Sequence, residues 1–109
     1  GVSNSVTSFT QSDFGRTLSS NGNGTDHAWG SVQIISGGAI DGRKIFGTYP
    51  TLEIRGPDDA SDGGRMIPTT SSDQYAATLA RWLGVSDNDL IKIAPSINNF
   101  SVKDLGFLV

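Results

Sequence analysis

The residues best suited to chemistry lie within the first 30 positions of the chain. His27 is the only histidine, and it directly follows Thr25 and Asp26 in a glycine-flanked motif. Neutral imidazole is a common metal ligand, and a neighbouring hydroxyl or carboxylate can fix its tautomer. His27 is therefore a candidate metal ligand, and Asp26 could either ligate the metal or orient His27. A plain surface role is the alternative for a single histidine in a loop.

A second candidate motif is Asp13-Phe14-Gly15-Arg16. It follows residues 5–10, whose β-branched and aromatic content predicts a strand. Ligands of open α/β sheets bind beyond the carboxyl ends of strands. Asp13 could therefore hold a metal and Arg16 an anion. An ordinary turn with a solvated arginine is the alternative.

These candidates do not make a complete metal site, because zinc needs three or four ligands. The chain has no cysteine and offers only Asp13, His27 and Asp26 in this region. The remaining ligands and any nucleophile are expected from elsewhere. A second acidic group, Asp58, Asp59 and Asp62, lacks the spacing and closing glutamate of an EF-hand and is predicted to be a solvated turn.

The elements expected to position these residues are short strands followed by two helices. Strands are predicted over residues 5–10, 32–36 (buried) and 51–55 (an edge strand), with loops at 19–30 and 56–64 and a hairpin-like excursion at 39–47. Trp29 is expected to pack beneath its loop. The C-terminal apolar residues Phe100, Val102, Leu105, Phe107 and Leu108 are expected to dock onto the rest of the fold.

The clearest helix begins after Ser71. Ser71 and Gln74 have capping-box spacing, with Thr70 and Asp73 as an alternative register. An apolar stripe at helical spacing is predicted to be core: Tyr75, Leu79, Trp82 and Leu83. Gly84 is expected to follow the helix end. A second short helix is predicted over residues 87–93, capped by Ser86 and ended by Pro95.

Composition limits the classes of protein. With 109 residues, 36% hydrophobic and 17% charged, the chain suits one domain with a thin core that docking onto a larger body would reinforce. A net charge of −3 without a basic run argues against nucleic-acid binding, and no apolar stretch is long enough for a membrane helix. A start at Gly1, without Met, favours a processed product or a fragment of a longer polypeptide.

Several separated motifs together resemble the C-terminal part of the uncharacterised bacterial domain family 1501. They include the Asp13-Phe14-Gly15-Arg16 and Gly24-Thr25-Asp26-His27 motifs. The others are residues 37–39, 49–50, 56–59, 67–70, 73–82, 99–100 and 104–108. The resemblance covers essentially the whole chain and implies that residues 1–109 are a single C-terminal segment of a larger domain.

The resemblance implies an α/β fold, the C-terminal portion of an alkaline-phosphatase-like three-layer sandwich related to sulfatases and phosphopentomutases. Members of that superfamily often carry a strand ending in Asp-His-Gly, and some follow it with Gly-Thr-Asp-His. By similarity Asp13 and His27 would be ligands of a divalent metal such as zinc, manganese or calcium. Phe14 stands where the superfamily has histidine, so the site binds one metal, uses other ligands or is degenerate. Arg16 is then a candidate for binding a phosphate or sulfate group.

The expected parent is an exported protein, periplasmic or extracellular, because the family commonly carries a twin-arginine signal. The parent would be a metal-dependent phosphate or sulfate ester hydrolase, with no activity in this chain alone. The rival hypothesis is a non-catalytic binding, structural or assembly protein that keeps the fold with a degenerate metal site. The expected partners are the remainder of the parent polypeptide and a small ester, and oligomer formation is left open.

Overall fold

The computed structural model describes all residues, 1–109, as a mixed α/β chain. Its strands are β1 (Thr7–Phe9), β2 (Gly15–Ser20), β3 (Thr25–Ala28) and β4 (Ile35–Gly37). Its helices are α1 (Ser72–Trp82) and α2 (Leu90–Ile93), with 3-10 turns at Ser3–Ser5 and Ile97–Asn99. The order of short strands followed by two helices is the predicted one. No helix combines the length and apolar character needed to cross a membrane.

The strands form two separate two-stranded antiparallel sheets, β1 with β4 and β2 with β3. The chain divides into two compact units. The helical unit comprises Gly1–Thr7, Ser36–Gly47 and Thr70–Val109, and the hairpin unit comprises Ser8–Ile35 and Thr48–Thr69. The candidate site residues all belong to the hairpin unit.

The helical unit has a small core of alanines and aliphatic side chains. α1 and α2 bury a cluster against the second 3-10 turn: Ala77, Ala80, Leu90, Ala94 and Ile97. Phe107 is only 2% exposed, and its ring lies 5.8 Å from the rings of Phe46 and Tyr75. Small side chains let the two short helices approach closely, so few large apolar residues are needed.

The capping box that begins α1 is confirmed. The Ser71 hydroxyl accepts from the Asp73 N–H, and the Gln74 side chain accepts from the Ser71 N–H at 3.0 Å. Gln74 is buried and also donates to the Val102 carbonyl. Thr78, two turns into the helix and also buried, accepts from the Leu105 N–H at 2.9 Å. Buried polar side chains of α1 thus hold the C-terminal segment.

The predicted apolar stripe of α1 is only partly correct. Leu79 is buried, but Leu83 is 75% exposed. The buried residues of α1 are instead Gln74, Ala77, Thr78, Leu79 and Ala80, of which only Leu79 belongs to the predicted stripe. The difference arises because the buried contacts of this helix are made by alanine and by hydrogen-bonded polar groups, which a search for large apolar side chains overlooks.

The C-terminal segment docks through fewer residues than predicted. Phe107 is buried, and Leu108 forms an isolated bridge with Ile40, but Val102 is exposed. The pairing with Leu108 also replaces the predicted hairpin-like excursion at 39–47. The second helix is shorter than predicted and begins at Leu90, because residues 87–89 form a turn in which the Ser86 hydroxyl donates to the Asp89 carboxylate instead of capping the backbone.

The prediction of a loop at 19–30 is wrong, because β2 and β3 form a hairpin there. Its turn, Asn21-Gly22-Asn23-Gly24, closes with a hydrogen bond from the Asn21 N–H to the Gly24 carbonyl. The buried strand predicted at 32–36 is also wrong in place and burial. β4 begins only at Ile35, and Ile34 is 69% exposed. The edge strand predicted at 51–55 is a pair of turns.

The acidic loop of the hairpin unit is a turn segment, as predicted, but it is also organised around one carboxylate, which was not predicted. Asp59 accepts four backbone hydrogen bonds, from the N–H groups of Arg55, Ser61, Gly64 and Arg65, at 2.8–3.1 Å. These hydrogen bonds lower the pKa of Asp59 from 3.8 to about 2, and the bond from the Arg55 N–H has the largest effect. Desolvation acts in the opposite direction and raises the pKa. The loop is therefore built on the ionised form of this side chain.

The acidic loop in turn supports the hairpin. The Leu18 N–H donates to the Gly64 carbonyl at 3.1 Å, and the Gly30 N–H donates to the Met66 carbonyl at 2.7 Å. β2 and the residues that follow β3 are therefore both tied to the segment 63–66. Asp59 orients that segment through the N–H groups of Gly64 and Arg65.

We predict that Asp59→Asn lowers the melting temperature by several degrees at pH 7, because an amide NH₂ cannot accept hydrogen bonds that one carboxylate oxygen accepts. A lowered pKa adds stability above the unfolded-state value near 3.8 and loses it as pH falls towards 2. The difference between variant and parent should therefore shrink over that interval in thermal melts followed by circular dichroism.

The matched control is Asp62→Asn, in the same loop. Asp62 has a positive φ of 55°, which asparagine tolerates well. It should melt like the parent. Equal melting of Asp59→Asn and Asp62→Asn would show that the carboxylate does not organise the loop.

We also predict that Gln74→Leu lowers the free energy of unfolding by about 1–3 kcal/mol, because it leaves the Ser71 N–H and the Val102 carbonyl without their partner. Urea denaturation of Gln74→Leu and of the exposed-site control Ser72→Ala measures the effect. A change no larger than that of the control would contradict the double role of Gln74.

Candidate functional site

The candidate site lies on the β2–β3 hairpin, and its register brings the two predicted motifs together. Arg16 of β2 pairs with His27 of β3, and Gly15 pairs with Ala28. Directly opposed residues of an antiparallel pair place their side chains on the same face. Arg16 and His27, eleven positions apart in sequence, are therefore neighbours.

Phe14 extends this pair into a stacked group of three side chains. Its ring centroid lies 4.3 Å from that of His27, with the planes at 34°. The guanidinium carbon of Arg16 lies 5.1 Å from the Phe14 ring centroid. We call Phe14, Arg16 and His27 the stacked triad. Phe14 is half-buried, whereas Arg16 and His27 are exposed, so the triad presents polar groups to solvent.

The close approach of the backbones depends on Gly15. It is buried, its N–H donates to the Trp29 carbonyl at 3.1 Å, and a Cβ here would collide with the Gly30 carbonyl. Any side chain at position 15 would push the strands apart. The glycine between Phe14 and Arg16 thus permits the register that forms the stacked triad.

The Arg16 guanidinium is fixed but not neutralised. One of its terminal nitrogens donates to the Thr25 carbonyl at 2.8 Å. No carboxylate lies within ion-pair distance, since all ion pairs of the chain are elsewhere: Lys44–Asp41, Arg81–Asp87, Arg81–Asp104 and Lys92–Asp89. A guanidinium has five N–H donors, so most of its donors remain for a ligand.

Asp26 is separated from the stacked triad. Successive residues of a strand point to opposite faces, so Asp26 and His27 do not share one. The Asp26 carboxylate accepts from the Asn21 side chain at 2.8 Å, and its N–H donates to the Thr17 hydroxyl. This arrangement ties Asp26 to the hairpin turn. A role in orienting His27 or sharing a metal with it is not supported by these contacts.

Asp13 has a different setting from the predicted one. β1 ends at Phe9 and β2 begins at Gly15, so Asp13 lies in the connection between the two strands, and Arg16 lies within β2. The Asp13 carboxylate is exposed and makes no hydrogen bond or ion pair in the chain. Its proposed role as a metal ligand stays a prediction.

The residues of this chain do not fit a divalent metal by themselves. Nowhere do three or more histidine or acidic side chains come together in a way that could hold an ion. Of the predicted ligands, Asp26 faces away from His27, and the ring beside His27 is Phe14, which offers no donor atom. A complete coordination sphere would need ligands from other polypeptide.

Trp29 follows directly after β3 and is a surface residue. It is 63% exposed, whereas packing beneath the loop was predicted. It follows His27 by two positions and bonds through its carbonyl to Gly15. His27 and Trp29 are two positions apart, and residues with this spacing lie on the same side of an extended strand. The sequence shows this pattern once Asn21-Gly22 is recognised as a hairpin turn.

Comparison with known proteins gives a family match. A family model described as "protein of unknown function (DUF1501)" matches residues 1–92. Neither the curated proteins nor the solved structures contain a significant match to the chain.

We predict that Phe14→Leu shifts the imidazole ring protons of His27 downfield in NMR spectra, because the shielding by the stacked ring is lost. Stability should fall by only about 0.5 kcal/mol, the low end for an aromatic pair, because the pair is partly exposed. Tyr49→Leu, an exposed aromatic substitution outside the hairpin, is the control. Unchanged His27 shifts in Phe14→Leu would contradict the stacking.

Proposed function

The chain belongs to the DUF1501 family, and from that premise we propose that it is the C-terminal part of an exported, alkaline-phosphatase-like protein that binds a phosphate or sulfate ester. The observation that carries this proposal is the cross-strand pairing of Arg16 with His27. It unites the two motifs that resemble those of the superfamily on one exposed face.

The chemistry of this face suits an oxyanion. Arg16 keeps free N–H donors in the planar arrangement that matches two oxygens of a phosphate or sulfate. Its contact with the Thr25 carbonyl restrains the side chain before a ligand arrives, which reduces the entropy lost on binding. His27 adds ring nitrogens whose hydrogen-bonding capacity is not used within the chain.

The catalytic form of the proposal is a metal-dependent ester hydrolase. Asp13 and His27 would then contribute ligands for zinc, manganese or calcium, while the other ligands and the nucleophile would belong to polypeptide beyond this chain. The chain alone would have no activity. This form requires the larger three-layer sandwich, of which residues 1–109 would be one C-terminal segment, in a periplasmic or extracellular setting.

A non-catalytic binding or assembly protein is the second candidate, and a specific observation favours it. Phe14 stacks on His27 where the superfamily has a histidine, so the hairpin has exchanged a donor ring for an apolar one. The many exposed apolar side chains, including Trp29 and Leu83, are also compatible with a chain that is covered by other polypeptide.

Hydrolysis of 4-nitrophenyl phosphate and 4-nitrophenyl sulfate tests the proposal, with this chain and the longer polypeptide assayed side by side and their metal content measured. For the hydrolase we expect turnover only in the longer polypeptide, with His27→Ala lowering both turnover and metal content at least tenfold. Asn23→Ala, in the turn of the same hairpin, should change neither.

The outcomes separate the two candidates. Ester binding without turnover, in a longer polypeptide that is free of metal, would favour the non-catalytic protein. Failure of the longer polypeptide to bind either ester would refute the proposed function in both forms.

A further inference from the structure

The stacked triad replaces donor atoms with a fixed cation. Three side chains of the hairpin share one face, and of these Arg16 is permanently positive, Phe14 has no donor atom, and only His27 could ligate a metal. A metal ion close to His27 would lie beside the Arg16 guanidinium, and two cations at such a distance repel each other.

The acidic residues nearby do not offset this positive charge. Asp26 points to the other face and is engaged by Asn21. The Asp13 carboxylate makes no contact with Arg16 within ion-pair distance. A metal site commonly gathers carboxylates that balance the charge of the ion, whereas here the cation stands without a carboxylate beside it.

An oxyanion fits the same surroundings well. Free donors of the guanidinium can form two parallel hydrogen bonds with one phosphate or sulfate. The Phe14 ring supports the guanidinium from one side at 5.1 Å, and the Thr25 carbonyl restrains it from another at 2.8 Å. The side chain is held in place, and its charge is directed to a ligand.

From these observations we infer that the stacked triad binds phosphate or sulfate without a metal ion, with Arg16 supplying the positive charge that a metal would otherwise supply. This inference rests on the proposed function and deepens its ester-binding form, because it specifies how the anionic group is held. It replaces the hydrolase form in which His27 is a metal ligand. It assigns Phe14 a positioning role, as the surface on which the guanidinium and the imidazole are stacked.

Titration of the chain with inorganic phosphate and with sulfate, followed by NMR, tests the inference in buffer with and without a chelator. We expect dissociation constants equal within about twofold in the two buffers. Arg16→Gln should weaken binding roughly 10- to 100-fold, as for loss of a charged hydrogen-bonding group. Arg16→Lys should bind with intermediate strength, because lysine keeps the charge but not the planar pair of donors.

Two further variants sharpen the test. Arg43→Gln removes the same charge from a loop outside the hairpin and should leave binding unchanged. Phe14→His places a second imidazole beside His27, and this variant should gain zinc affinity measurable by NMR, whereas the parent chain should show no zinc-induced shift of His27.

The possible results distinguish the metal-free inference from the proposed ester binding. Binding that disappears in chelator and returns with added zinc or manganese would overturn the metal-free inference while leaving the proposed ester binding intact. Binding that is unaffected by Arg16→Gln would also overturn the inference. No binding of either anion by this chain, with or without metal, would overturn the inference, while the proposed function would still be decided by ester binding to the longer polypeptide.

Discussion

The hairpin unit depends on one set of contacts: the Asp59 carboxylate accepts hydrogen bonds from four backbone N–H groups. This set of contacts fixes the segment from Arg55 to Arg65 in a conformation that contains two non-glycine residues with positive φ, Arg55 and Asp62, whose strain must be offset. The carbonyls of the same segment then receive the N–H groups of β2. The Gly64 N–H donates to the Asp59 carboxylate, and the Gly64 carbonyl accepts from the Leu18 N–H. The loop therefore connects the Asp59 carboxylate to the edge of the β2–β3 sheet.

In the helical unit, too, polar side chains hold separate segments together, a role that apolar side chains have in larger domains. Gln74 joins the start of α1 to the C-terminal segment, and Thr78 joins the middle of α1 to the Leu105 N–H. A hydrogen bond between buried partners contributes modestly when made but is costly to leave unmade. A chain that buries so few large apolar residues therefore gains specificity of structure from satisfied polar groups instead of from a large core.

Sequence reasoning predicted those features whose causes are local. The capping box at Ser71 and the strand near Thr7–Phe9 depend on adjacent residues, and both were confirmed. Sequence reasoning failed where the structure depends on residues that are far apart in the sequence. The strands of the hairpin include glycine, aspartate and alanine, which are depleted in strands, and the hairpin is stabilised by the segment 63–66 from far along the chain. The role of Asp59 was hidden because an aspartate in a Gly-rich turn looks the same whether it faces water or four N–H groups.

The candidate site shows the same division between local and distant causes. Asp13, Arg16, Asp26 and His27 were all identifiable by residue type, but their grouping was not, because it depends on register. A shift of one residue would have placed Asp26, not His27, opposite Arg16, and a carboxylate there would neutralise the guanidinium.

The observed register instead leaves the Arg16 guanidinium without an ion pair and over the ring of Phe14, which also stacks with His27. Similarity of motifs therefore does not transfer a chemistry by itself. Phe14 offers no donor atom beside His27, so these positions of the hairpin carry a guanidinium without an ion pair and a single imidazole, in a register that the close backbone approach at Gly15 permits.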